Sequence, residues 1–354
     1  MRKRRIVLIL SPYYKIQGNG LADYSSLFAN ALSEEGVAVK VATLDAYKGE
    51  DCYFSFSQWN ILVAFKLLYK LVRDDEHKHI LIEFVPHMYN PKGGLAPSLA
   101  LFTLFLRLFT DINISIMFHE LHYPFSWRPK DLVMFFCHHF MFILCMASSH
   151  RNFFSTHAFL KIGEKYAFHE RNFWLPVGSN IERAVSVKRE VFSISYFGGF
   201  HPSRRFDLIC KTLSKLSFPF SFHIIGNAPK SEIQDERFHY HGHLSNTDAA
   251  RVIASTHCMI SYFSDGVSTR RGSVLAGLNQ GVPCITTVDW GTDPLLKDFE
   301  GLFLCSTSEE EYEKEALHHL NELYKEKYRF DHICQEYDEI FQWKSIIKQF
   351  LSYN

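Results

Sequence analysis

Residues 265–283 read Asp-Gly-Val-Ser-Thr-Arg-Arg-Gly-Ser-Val-Leu-Ala-Gly-Leu-Asn-Gln-Gly-Val-Pro. They follow one apolar run, residues 258–263 (Cys-Met-Ile-Ser-Tyr-Phe), and precede another, residues 284–288 (Cys-Ile-Thr-Thr-Val). Each run reads as a buried strand, whereas Val274, Leu275 and Leu278 recur at helical spacing and Gly281 and Pro283 are helix stops. The stretch is therefore a strand-loop-helix-strand unit of a parallel α/β sheet. Its loop carries Asp265, Arg270 and Arg271, with Gly272 and Ser273 where the helix begins. Free N–H groups and the positive end of the helix dipole favour an anion there, and ligands of open α/β sheets lie beyond the carboxyl ends of strands. The expected ligand bears phosphate. The alternative is ordinary solvated ion pairing, because Arg-Arg-Gly-Ser is no fingerprint by itself.

A chain of 354 residues suits two domains. Lys+Arg and Asp+Glu balance at 38 each, so no global field advertises nucleic acid as a partner. The eight cysteines are widely spaced without Cys-x-x-Cys, which reads as reduced core thiols of a cytoplasmic protein. The N-terminal Met-Arg-Lys-Arg-Arg precedes an apolar run, residues 6–10, that is short for a signal sequence and is read as the first strand. Residues 132–146 are the most apolar segment, yet His138 and His139 interrupt it and it falls short of the roughly 20 residues of a spanning helix.

Outward from the opening stretch, the same plan recurs. Residues 6–10 lead through Gly18, Asn19 and Gly20 into a helix marked by Leu21, Tyr24, Leu27, Phe28, Ala31 and Leu32. Strands follow at residues 37–43, 79–84 and 112–118, with a helix over 59–72, and such alternation signals a parallel sheet. Gly18 and Gly20 do not complete a Gly-x-Gly-x-x-Gly, and a plain turn explains them as well; Asp45 is the nearest acid after the second strand. Charges cluster from 182 to 190, where the domain boundary is placed. Beyond it residues 192–197 form a strand, Gly198 and Gly199 a loop with Arg204 and Arg205, and Leu208, Ile209, Leu213 and Leu216 a helix. Arg204, Arg205 and Arg271 are expected to converge on one anion site.

Two histidine patterns carry chemistry. His119 and Glu120 lie at the carboxyl end of the strand 112–118, where imidazole titrates near neutrality and a neighbouring carboxylate fixes its tautomer. A plain strand cap is the alternative. His239, His241 and His243 alternate along 238–244 and would suit a metal if on one side, but no carboxylate or cysteine completes the set and Gly242 offers a bend.

In order and spacing these segments resemble the GT-B glycosyltransferases, and within them the retaining family four. The resemblance rests on Gln-Gly-Asn-Gly-Leu-Ala-Asp-Tyr (17–24), His119-Glu120, Leu-Pro-Val-Gly-Ser-Asn (175–180), Phe-Gly-Gly-Phe-His-Pro-Ser-Arg-Arg (197–205), Ile-Ile-Gly-Asn-Ala-Pro (224–229), Tyr-His-Gly-His-Leu-Ser (240–245) and the opening stretch. It implies two Rossmann-like domains with parallel sheets facing a cleft: an acceptor domain over 1–180, a nucleotide-sugar domain over 181–335, and a terminal helix over 336–354 crossing back. It implies a retaining transfer from a nucleotide-sugar to a glycan or lipid-linked saccharide, with no metal or redox cofactor. Gly20, Gly199, Arg204, Arg205, Gly226, Asp265, Arg270, Arg271, Gly272 and Ser273 would hold the donor. His119 and Glu120 would act at the transferred sugar, and Asn19 and His122 would meet the acceptor. One departure stands out, because Ser268 and Ala276 occupy the two positions of the family's Glu-x7-Glu pair. A non-catalytic subunit of the same fold and a nucleotide-sugar 2-epimerase are the alternatives, the latter disfavoured by the missing acids.

The segment 96–146 is rich in Phe, Leu and Met near Arg107, Arg128 and Lys130, a combination suited to peripheral contact with the cytoplasmic leaflet. The expected contact is 99–109, where Leu104, Leu106 and Arg107 would share an exposed edge.

Overall fold

A computed structural model describes residues 6–16, 19–44, 47–74, 77–90, 96–122, 125–166, 168–185, 191–227, 235–325 and 331–353. Gly18 and Asp45 lie outside them, as do Gln17 and positions 228–229 of the segments quoted for the resemblance. The chain divides into two units, Met1–Pro176 with Ile347–Asn354, and Val177–Ile346. The expected boundary thus moves from 180 to 176, and residues 336–346 stay with the second unit.

The first unit runs β1 (Ile6–Ser11), α1 (Gly20–Glu34), β2 (Ala38–Thr43), β3 (Cys52–Ser55), α2 (Ile61–Arg73), β4 (His79–Phe84), α3 (Pro97–Phe109), β5 (Asn113–Phe118), α4 (Pro129–Ser148), β6 (Arg151–Phe154), α5 (His157–Gly163) and β7 (Asn172–Trp174). Its seven strands are ordered β3-β2-β1-β4-β5-β6-β7, and each neighbouring pair is parallel. The order reverses between β1 and β4, which places a ligand-prone crevice at their carboxyl ends. β1, β4 and β5 are almost wholly buried, as strands covered on both faces must be. One face packs on α2, α3 and α4 through Leu67, Leu99, Phe102, Met141 and Phe142. On the opposite side Phe350, from the returning C-terminus, meets Phe28 and Phe153, each at 5.1 Å between ring centroids.

The second unit repeats the plan: β8 (Ser193–Phe197), α6 (Phe206–Leu213), β9 (Ser221–Ile225), β10 (Phe238–Gly242), α7 (Asn246–Ala254), β11 (Cys258–Ile260), α8 (Gly272–Asn279), β12 (Cys284–Thr287), α9 (Pro294–Lys297), β13 (Leu302–Cys305), α10 (Glu309–Lys325) and α11 (Asp331–Phe341), followed by α12 (Trp343–Ser352). Six parallel strands lie in the order β10-β9-β8-β11-β12-β13, with the reversal between β8 and β11. None of the eight cysteines is in a disulfide, and Cys145, Cys210, Cys258, Cys284 and Cys305 are buried.

Four expectations change. The strand expected over 258–263 stops at Ile260, because Phe263 exchanges its N–H and C=O with the Thr287 hydroxyl, at 2.9 and 2.7 Å, instead of continuing the ladder. The single terminal helix is two, broken at Gln342. α4 reaches 20 residues and is the one helix, among the described residues, long and apolar enough to cross a membrane; His138 does not interrupt it, being buried against the core with Met141 and Phe142. The exposed edge expected on α3 also differs: Leu106 is fully buried, and the exposed residues are Arg107, Leu108 and Phe109.

Phe350 is fully buried. Phe350→Ala is expected to cost about 3–5 kcal/mol in denaturant unfolding, as cavity-forming aromatic truncations do.

Candidate functional site

The loop after β11 is shaped by its neighbours. Thr269 donates its N–H and hydroxyl to Asp293 Oδ2 at 2.7 and 2.9 Å, and Asp293 is fully buried. Val267 N–H donates to the Thr287 carbonyl at 2.8 Å. Gly266 turns at φ 83°, where a Cβ would sit 2.5 Å from the Asp289 amide nitrogen. The chain is thereby steered so that Arg271 precedes α8, a helix with no side-chain cap on its first amides.

At that point two guanidinium groups meet one aromatic ring. Arg204, from the loop after β8, lies 4.3 Å from the centroid of Phe263, and Arg271 lies 4.6 Å from it. Cation–π contact holds both, each worth roughly 0.5–2 kcal/mol depending on desolvation. Asp265 pairs with Arg271, whereas Arg204 makes no ion pair among the described residues. Arg271 Nε is buried without a hydrogen-bond partner among them. Burial, and then the neighbouring Arg271 charge, lowers the Arg204 guanidinium from its ordinary value. One carboxylate thus faces two cations beside the start of α8, at the β8/β11 reversal. The arrangement suits a diphosphate.

Arg205 is a correction to the expected three-way convergence. At φ 42° it turns the other way, onto Glu309 at 2.9 Å and Asp207 at 3.2 Å. Those carboxylates raise its pKa and occupy its donors. Arg270 and Ser273 are half-buried at the loop's end and the helix start. Of the glycines, Gly226 has an internal reason: φ is 113° and a Cβ would meet the Gly198 carbonyl oxygen at 2.2 Å. Around Gly20, Gly199 and Gly272 a Cβ would meet nothing within 4 Å, so protein packing does not require glycine there. Ser268 and Ala276, where the resemblance places acids, are buried, Ala276 completely.

In the first unit His119 stands just past β5, and its Nε2 lies 2.5 Å from Oε2 of Glu83 on the adjacent β4. Glu83 is fully buried, and Oε1 has no hydrogen-bond partner among the described residues. Burial pushes its carboxyl above the usual range, opposed by the bond to His119. The Tyr24 ring packs edge-on against His119 at 4.5 Å. The carboxylate that fixes the imidazole is therefore Glu83, not Glu120. Glu120 instead lies 2.7 Å from His87 Nδ1 and raises the pKa of that histidine. Glu83 was visible as the one acid in the apolar run 80–84, at its carboxyl end. Asn19 caps α1, its Oδ1 accepting from Leu21 and Ala22 N–H at 3.1 and 3.0 Å. His122 packs against Phe135 and His139.

The remaining histidines do not form a metal set: no group of three or more His, Cys, Asp or Glu suited to a metal occurs among the described residues. The pairing register slips between Tyr240 and Gly242, and His223 of β9 stacks on His241 with the His239 ring tilted against it. His223 Nδ1 and His241 Nε2 are 3.1 Å apart, so one ring must supply a lone pair. Burial, then His239 and His241, pushes the His223 pKa down to about 4.

Solved structures match this chain along nearly its whole length, whereas no family model and no curated protein matches it. A glycosyltransferase from Rickettsia africae gives a TM-score of 0.70 at 13% identity, with 99% of this chain and 98% of that one covered. HepE of Anabaena, in complex with UDP-glucose, gives 0.65 at 11%, with 98% of each chain covered. WaaG, a glycosyltransferase involved in lipopolysaccharide biosynthesis, gives 0.65 at 12%, with 97% and 98% covered. The two parallel α/β units are those of the GT-B glycosyltransferase fold.

An unfolded histidine takes up a proton near pH 6.5. Native His223 refuses it down to about 4, so this residue's contribution to stability falls as pH drops through that window. The thermal midpoint of His223→Asn is expected to decline less steeply than that of the wild type between about pH 7 and pH 5.

Proposed function

We propose that the protein is a retaining glycosyltransferase, taking a sugar from a nucleotide-sugar and placing it on a glycan or lipid-linked saccharide of surface polysaccharide. The observation that carries the reading is the pair Arg204 and Arg271 on Phe263, beside the uncapped start of α8 and the β8/β11 reversal. Glycosyl transfer breaks the bond between the anomeric carbon and the diphosphate oxygen, and the electron pair stays on the diphosphate. Preorganised cations aimed at that developing charge lower the barrier most. The acceptor oxygen bonds to the anomeric carbon on the face the diphosphate leaves, and its proton passes by way of His119 to the departing oxygen. No metal or redox cofactor enters the scheme. The acceptor is assigned to the first unit, with His119 as its proton-handling group and Glu83 as the residue that orients it. Glu120, paired with His87, receives no part.

Charge-assisted hydrogen bonds contribute about 1.5–3 kcal/mol, so Arg204→Ala and Arg271→Ala should each weaken nucleoside-diphosphate binding roughly ten- to a hundredfold by calorimetry. Arg205→Ala should change it far less, its guanidinium being engaged by Glu309 and Asp207. Unchanged affinity in the first two variants would remove the phosphate assignment.

Glu83→Gln keeps the shape but cannot exchange a proton with His119. It is expected to lower kcat by roughly a hundredfold and alter its pH profile while leaving donor affinity intact, in line with the usual weight of acid–base groups. A wild-type pH profile in this variant would reduce Glu83 to a packing role.

A further inference from the structure

α2 carries three interleaved stripes at helical spacing. Ala64, Leu67 and Leu71 are buried in the core. Leu62, Phe65, Tyr69 and Val72 are exposed, Leu62 at 68%. Lys66, Lys70 and Arg73 are exposed beside them, and the helix contains no acid. An ordinary surface helix turns a polar face to water; one that is apolar on both faces needs a second apolar environment.

The pattern continues on the neighbouring helices. Phe65 stacks on Phe105 of α3 at 5.8 Å, and α3 ends in exposed Leu108 and Phe109. α4, which packs against α3, exposes Val133, Phe136 and Phe140, again one face of a helix. Across α2, α3 and α4 the basic residues are Lys66, Lys70, Arg73, Arg107 and Lys130, against Asp131 alone. The whole chain is neutral, so this excess is local. Lys66, Lys70, Arg73 and Lys130 make no ion pair among the described residues.

We propose that the solvent face of α2, with those of α3 and α4, docks on the surface of an anionic lipid leaflet. Aromatic and aliphatic side chains would enter the acyl boundary while lysines and arginines reach the headgroups, as interfacial amphipathic helices do. A protein partner fits less well, because protein interfaces are depleted of lysine, whereas here Lys66 and Lys70 sit between the apolar residues. The inference deepens the transferase reading by placing the acceptor at a membrane, but it stands on different residues from the donor site.

The test is flotation of the intact protein with phosphatidylcholine vesicles and with vesicles that also contain phosphatidylglycerol. Flotation with the mixed vesicles only is expected, weakening as salt is added. Each basic residue at an anionic surface contributes about fivefold in partitioning, so Lys66→Glu with Lys70→Glu should lower binding at least about tenfold. Leu62→Ser with Val72→Ser, both at exposed positions, should lower it too. Thermal midpoints and nucleoside-diphosphate binding, read in parallel, show that the variants are folded and keep the transferase reading separate. The proposal is overturned if the protein stays in the soluble fraction with mixed vesicles, if it floats equally with neutral ones, or if the charge reversal leaves flotation unchanged. A stripe-dependent dimer without vesicle binding would also overturn it, in favour of a second copy as the occupant.

Discussion

Two like charges held on one phenylalanine ring are the constraint around which the second unit is arranged. Arg204 and Arg271 come from loops on opposite sides of the sheet reversal, and Phe263 accepts both guanidinium groups. Bringing cations together in a half-buried place is unfavourable unless something offsets it, and Asp265 supplies only one negative charge. The surrounding structure enforces the geometry: Thr287 takes Phe263 out of the strand, and buried Asp293 anchors Thr269. A diphosphate would complete the charge balance, which is why the phosphate reading follows from the fold and not from the arginines alone.

The first unit also brings polar side chains together at the ends of adjacent strands. Glu83 and His119 end adjacent parallel strands, so the register of β4 on β5 sets their meeting. The buried Glu83 carboxylate lies against the His119 imidazole, and the edge-on Tyr24 ring closes one side of the pair. Such a pair holds the imidazole in one orientation.

Much of the fold was legible because parallel strands buried on both faces read as continuous apolar runs, and the turns between them carry glycine and proline. What escaped was set by tertiary contacts. β3 is short and mostly half-buried, and its Cys-Tyr-Phe is too brief an apolar run to mark it. The last residues of the 258–263 run look like strand but answer to the Thr287 side chain. In the candidate site, Arg271 and His119 lie after strands, where the sequence puts them. Glu83 was passed over because its apolar neighbours disguised it as strand, and Glu120 was preferred because it is adjacent in sequence, although its side chain reaches His87. Arg204 and Arg205 look alike in the sequence, and only the left-handed turn at Arg205 separates the cation on Phe263 from the one on Glu309. The exposed stripe of α2 was missed for a related reason: apolar residues cover the buried face and part of the exposed one, so periodicity alone does not tell which of them meets the core.

The central claim is that the second unit recognises a nucleotide through its diphosphate. Calorimetric titration of the intact protein with UDP, other nucleoside diphosphates and the corresponding nucleosides tests it most directly. The account predicts saturable binding of at least one nucleoside diphosphate, with its nucleoside binding far more weakly because both guanidinium contacts are lost. Equal binding of the nucleoside, or no binding of any diphosphate by the folded protein, would contradict it.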